Sequence, residues 1–101
     1  MDSQNTLEII VDEIENILND IFLSGFHSVP DSLINRIEQQ FKVCKDIGMS
    51  KAAQLLAGLR DELNKRKNSF EYNSETVADF FTKIEFYIEN FRNYWYSYLD
   101  L

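Results

Sequence analysis

Along the first two dozen residues, apolar side chains recur at steps of three and four. Leu7, Ile10, Val11, Ile14, Ile17, Leu18, Ile21 and Phe22 share one face of a helix. The run stops at Gly25, which suits a left-handed C′ position, and Phe26 follows as the apolar residue that packs back near Ile21. A second stripe, Leu33, Ile34, Ile37, Phe41 and Cys44, comes after "SVPD". Ser28 there is the expected N-cap, with Pro30 in the first turn and Asp31 at the capping-box position. Gly48 repeats the stop, Met49 is the apolar residue after it, and Ser50 is placed to cap a third helix. That helix buries Ala52, Leu55, Leu56, Leu59 and Leu63. Gly58 in its interior costs about 1 kcal/mol relative to alanine. With Ala53 and Ala57 also small, a neighbouring helix is expected to come close there. "KNSFEYNS" reads as a loop, and Ser74, followed by Glu75 and Asp79, starts a fourth helix.

The fourth stripe is the most aromatic. Val77, Phe80, Phe81, Ile84, Tyr87, Ile88, Phe91, Tyr94, Trp95, Tyr98 and Leu99 fall within an arc of about 140°. Asp79, Thr82, Glu89, Asn90, Asn93 and Asp100 lie opposite. The terminal "YWYSY" is therefore expected to be the end of a core stripe whose Tyr and Trp polar atoms reach a wet bundle end. An interfacial membrane helix would carry Lys and Arg on its polar face, and this face is acidic. Two aromatics fall off the stripe: Phe86 points about 180° from Val77 and Tyr96 about 100° away. Ile9 and Leu23 interrupt the acidic face of the first helix in the same way. These four, Ile9, Leu23, Phe86 and Tyr96, are the candidate contact residues.

The pattern predicts an all-α fold: an antiparallel four-helix bundle with helices near 4–24, 29–47, 50–67 and 74–99. Short connections favour up-down-up-down order, which makes the first and fourth helices neighbours. A chain of 101 residues is one domain, long enough to close a core without staples. The single cysteine, Cys44, excludes an intrachain disulfide and fits a reducing compartment. No basic n-region with a cleavage site opens the chain, and no apolar run approaches the roughly 18 residues of a membrane span. A cytoplasmic location is expected.

Charge changes the picture by its distribution. Residues 1–31 carry seven acids and no Lys or Arg; residues 32–67 carry eight of the ten basic residues against four acids. Residues 68–101 return to six acids against Lys83 and Arg92. With a net charge of −7, direct contact with nucleic acid is not expected. The run Lys65-Arg66-Lys67 falls on the last turn of the third helix, where cations meet the negative end of the helix dipole.

Recognisable reaction chemistry does not emerge. One histidine, His27, cannot supply the paired Glu-x-x-His of a di-iron bundle, and one Cys with one His does not make a structural zinc site. Three isolated glycines build no phosphate loop. Cys44 sits on the apolar stripe, where a thiol is an inert small hydrophobe. Glu85 and Glu89 are spaced for a solvated face. The expectation is no enzyme, no catalytic residues, no metal and no cofactor.

The stretch "GFHSVPDSLINRIEQQFKVCKDIGMSKAAQLLAGL" resembles a helical region of uncharacterised bacterial proteins that occur with SWIM-type zinc-finger proteins. The likeness covers about a third of the chain, and the zinc-finger cysteines and histidines are absent. It implies an accessory, protein-binding role and assigns no functional residue. Together these readings give a non-enzymatic interaction module, an accessory or adaptor subunit for a protein partner, with a possible homodimer through the first and fourth helices. The alternative is an acidic decoy occupying a partner's nucleic-acid-binding surface through Glu8, Asp12, Glu13, Glu15 and Asp20.

Overall fold

In the computed structural model the chain forms four helices, α1 (Ser3–Ser24), α2 (Asp31–Asp46), α3 (Ser50–Asn68) and α4 (Ser74–Leu99). The structure describes residues 3–68 and 73–99, and side chains over 6–65 and 73–94. Residues 69–72 of the expected loop, and the side chains of Arg66, Lys67, Trp95, Tyr96, Tyr98 and Leu99, therefore lie outside the described residues. The described chain is an all-α bundle in which α1 packs on α2, α2 on α3, α3 on α4 and α4 back on α1. The backbones of the diagonal pairs do not come close, so the helices form a ring around one shared core, and the α1–α4 seam is the thinnest. Across the α1–α4 seam paired residues run in opposite directions. Arg92 near the end of α4 meets Asp12 and Glu15 in the first half of α1, whereas Phe81 meets Phe26 just beyond it.

The core follows the stripes. Ile14, Ile17, Ile21, Ile37, Leu56, Leu59, Leu63, Ile84 and Cys44 are almost wholly buried. Gly58 explains itself here. A Cβ at that position would fall inside the ring of Phe80, so α4 approaches where α3 has no side chain. Both helix-ending glycines are left-handed, Gly25 at φ +85° and Gly48 at φ +86°. At Gly48 the Met49 amide donates to the Cys44 carbonyl (2.8 Å) and the Gly48 amide to Lys45 (3.3 Å), the paired bonds of a Schellman ending. At Gly25 the amide donates to the Ile21 carbonyl at 2.9 Å, the bond of an αL ending.

α3 and α4 begin at Ser50 and Ser74 as the pattern predicts, whereas the start of α2 and the capping of all three helices differ from the sequence reading. α2 begins at Asp31 with Pro30 as its cap residue, and Ser28 does not cap it. A cap at Ser28 would force Val29 into the α conformation directly before a proline, which sterics oppose. Val29 instead buries completely. In α3 the Met49 carbonyl accepts the first helical bond, from Ala53, so Ser50 is already inside the helix. In α4 the cap is Asn73, whose Oδ1 accepts from the amides of Glu75 (2.8 Å) and Thr76 (3.3 Å).

Two stripe positions are corrected as well. Phe22 is 71% exposed and Tyr94 is 73% exposed. Tyr94 lies past the reach of α3: Lys51, near the start of α3, already sits beside Asn90 of α4. Beyond that level α4 runs past the start of α3, and a side chain on its α3 side has no helix beside it there.

Candidate interaction surface

Arginines close three of the four seams. Arg36 on α2 donates to Glu13 (2.9 Å) and Asp20 (2.7 Å) on α1. Arg60 on α3 donates to Glu38 on α2 (2.6 Å) and to Asp61 (2.9 Å), with its guanidinium 4.9 Å from the Phe41 ring. Arg92 on α4 holds Glu15 and Asp12 on α1. Donating hydrogen bonds to these carboxylates raises the pKa of Arg36 and Arg60, with Asp20 leading at Arg36 and Asp61 at Arg60. Much of the acidic character of α1 is thus committed to holding neighbouring helices. Of Glu8, Asp12, Glu13, Glu15 and Asp20, all but Glu8 pair with Arg36 or Arg92.

The expected core thiol is where the stripe places it. Cys44 is fully buried, and burial pushes its pKa up to about 11, so the thiol stays protonated at neutral pH. His27 is exposed in the α1–α2 connection, at the opposite end of α2. A helical rise of 1.5 Å per residue separates the two ends by about 20 Å, so His27 and Cys44 do not form a nucleophile–base pair. Among the described residues no three His, Cys, Asp or Glu side chains converge on a point that would hold a metal ion. No helix there is long and apolar enough to cross a membrane.

Three of the four candidate contact residues are described, and all three are exposed: Ile9 at 56%, Leu23 at 81% and Phe86 at 64%. Tyr96 lies outside the described side chains. They do not form one patch. Ile9 and Leu23 are about 21 Å apart along α1. Leu23 shares its end of the bundle with exposed Phe22. The α1–α2 register, set by Arg36 between Glu13 and Asp20, brings Ile9 level with Val43, and Val43 and Ile47 are exposed in turn. Val43 and Ile47 adjoin the α2 stripe and Phe22 lies at the edge of the α1 stripe, so their positions in the sequence do not mark them as exposed.

Phe86 is different because it sits in a groove. Leu55 and Lys51 of α3 with Thr82, Lys83, Phe86, Tyr87 and Asn90 of α4 line a mostly apolar cleft of about 500 Å³. Two cations and no carboxylate line it. Lys83 shares its charge with Asp79 at 2.8 Å, whereas Lys51 makes no ion pair among the described residues. Partial burial raises the Tyr87 pKa. On the other flank of α4, Glu85, Ile88, Glu89, Arg92 and Asn93 meet Glu15, Leu18 and Asn19 of α1 around a second cleft of about 400 Å³. Three carboxylates line that one, and Arg92 is tied to Glu15. The outer face of α4 therefore divides a basic, apolar cleft from an acidic one. Compared with protein-family models, with curated proteins and with solved structures, the chain matches none.

Proposed function

We propose that this chain is a non-enzymatic protein-interaction module, an accessory or adaptor subunit, whose contact face is the outer surface of α4 around Phe86. The observation that carries the reading is Phe86 itself, a large aromatic left 64% exposed at the edge of an apolar cleft with cationic walls. Buried aromatic anchors dominate protein interfaces, and Phe86 at the lip of the cleft is placed to become one. The likeness to a region accompanying SWIM-type zinc-finger proteins points to the same accessory role. The acidic-decoy alternative draws less support, because four of its five carboxylates already hold arginines of the same chain.

Affinity capture with quantitative mass spectrometry tests the reading. Phe86→Glu should lose a protein that wild type captures, and Val43→Glu, exposed on α2 across the ring from α4, should keep it. Capture that ignores both substitutions but collapses as salt rises would favour the decoy instead.

A further inference from the structure

The two flanks of α4 are complementary to each other, and this property selects an occupant. Along the outer ridge of the helix, Thr82, Phe86 and Asn93 line up within about 40° of one another, with Glu89 about 20° off this arc on one side and Asp79, paired with Lys83, about 20° off it on the other. On its α3 side stand Lys51 and Lys83, and on its α1 side stand Glu85 and Glu89 at the same height. Neither Glu85 nor Glu89 has an ion-pair partner among the described residues, and neither does Lys51. A helical partner with opposite flanks of opposite charge fits this face, and the chain already contains such a helix.

We propose that the partner of this face is a second copy of the chain, joined in a two-fold dimer whose α4 helices run parallel and whose Phe86 rings meet near the axis. Symmetry decides the direction. A two-fold axis parallel to α4 lays the basic flank of one molecule against the acidic flank of the other, so Lys51 and Lys83 meet the second copy's glutamates, and does so twice. A two-fold axis perpendicular to α4 would oppose lysines to lysines and glutamates to glutamates. The net charge of −7 on each copy repels at long range, but beyond about 8 Å salt screens it and the local pattern governs. The apolar lining of the α3–α4 cleft supplies the anchoring that charge alone does not. A single-helix contact face is at the small end of stable interfaces, so the dimer is in the micromolar class.

The inference rests on α4 being the contact face, and the experiment separates the two. Sedimentation velocity across a micromolar concentration series should show monomer–dimer exchange. Phe86→Glu should weaken the dimer at least about tenfold, with circular dichroism unchanged because the side chain is exposed. Lys51→Glu and Glu89→Lys should each weaken it about fivefold, and the double substitution should restore it by exchanging the charges. Direction is read by oxidative cross-linking, because buried Cys44 is silent. Asn93→Cys should link to itself in the parallel dimer, whereas Gln54→Cys, exposed on α3, should not. In an antiparallel dimer centred on Phe86 the two Asn93 positions would be about 21 Å apart, far outside disulfide range. A chain that stays monomeric throughout, or a dimer linked through Phe86→Cys but not through Asn93→Cys, overturns the proposal. If capture of another protein still depends on Phe86 in a monomeric chain, only the dimer falls. If neither capture nor dimerisation responds to Phe86, the contact face falls with it.

Discussion

The carboxylate of Glu62 accepts the backbone N–H of Asn73 at 3.1 Å, and Asn73 in turn caps α4. Glu62 is only 5% exposed, and Lys65 closes the other side of its carboxylate at 3.1 Å. A buried acid on α3 thereby fixes where α4 starts. Glu62→Ala strands the Asn73 amide and should cost about 1–3 kcal/mol. Asn73→Ala removes the cap and should cost about 1 kcal/mol. Because the two act through one another, urea melts of the double variant should show less than the sum. Strict additivity would mean that the contact does not position the helix.

Gly58 and Phe80 make a second paired prediction. In an unobstructed helix, Gly→Ala stabilises by about 1 kcal/mol. Here the new methyl meets the Phe80 ring, and the displacement should reverse the sign, to a net loss of about 1 kcal/mol. In a Phe80→Ala background the obstruction is gone and Gly58→Ala should again stabilise. Thermal melts of the four proteins decide it, and a stabilising Gly58→Ala in wild type would show that the ring swings aside freely.

The alkaline limb of stability is expected to depend on Cys44. Its thiol titrates near 9 when unfolded and near 11 when folded, so the folded state holds the proton more tightly. The associated stability is complete below pH 9 and is lost as pH rises from 9 to 11, a change on the order of 2 kcal/mol. The raised Tyr87 pKa has the same sign. Cys44→Ala should flatten the fall in melting temperature over that window, and an unchanged slope would show that the thiol is not responsible. In folded wild type at neutral pH, a thiol reagent should react only as fast as the protein opens.

Much of this fold was legible because its signals are local. Three- and four-residue spacing located the stripes, and the glycine stops at Gly25 and Gly48 are backbone requirements that no neighbour can override. The small-residue cluster around Gly58 also foretold a close approach. The helix caps were less legible, because Asn73 and Ser74 are both competent caps and the choice depends on Glu62, eleven residues away. At Ser28 the local rule was available but was outweighed: the pre-proline restriction on Val29 decides against a cap there. Angle alone places Phe22 and Tyr94 in the core, but Phe22 sits at the edge of its arc, and Tyr94 lies past the start of α3, so its burial depends on relative helix lengths. Phe86 was legible as an outlier. Its cleft was not, because the stripe does not tell whether α1 or α3 flanks it on a given side. The charge asymmetry of α1 was visible too, but its use in seam-closing arginine pairs appears only once the helices are placed.

The last prediction concerns the α1–α4 seam, the thinnest in the bundle, which Arg92 spans to Asp12 and Glu15. The two backbones come close at few points, so the first half of α1 has little else tying it to α4. Arg92 is partly exposed, so Arg92→Gln should lower global stability by no more than about 1 kcal/mol. Its effect should be local. Opening of an element is governed by the contacts that element makes, and those contacts are sparse here. Amide hydrogen exchange over residues 6–15 should accelerate several-fold in Arg92→Gln, while the Ile37 and Leu59 regions, at the best-packed seam, keep wild-type rates. Raising the salt should reproduce part of the acceleration in wild type and little of it in the variant, because screening acts on the same pairs. Arg36→Gln is the control on the other side of α1, where Glu13 and Asp20 are released and the more extensive α1–α2 packing should hold exchange nearer to wild type. Equal acceleration by the two substitutions would show that the arginines, and not the packing beneath them, set the opening of α1.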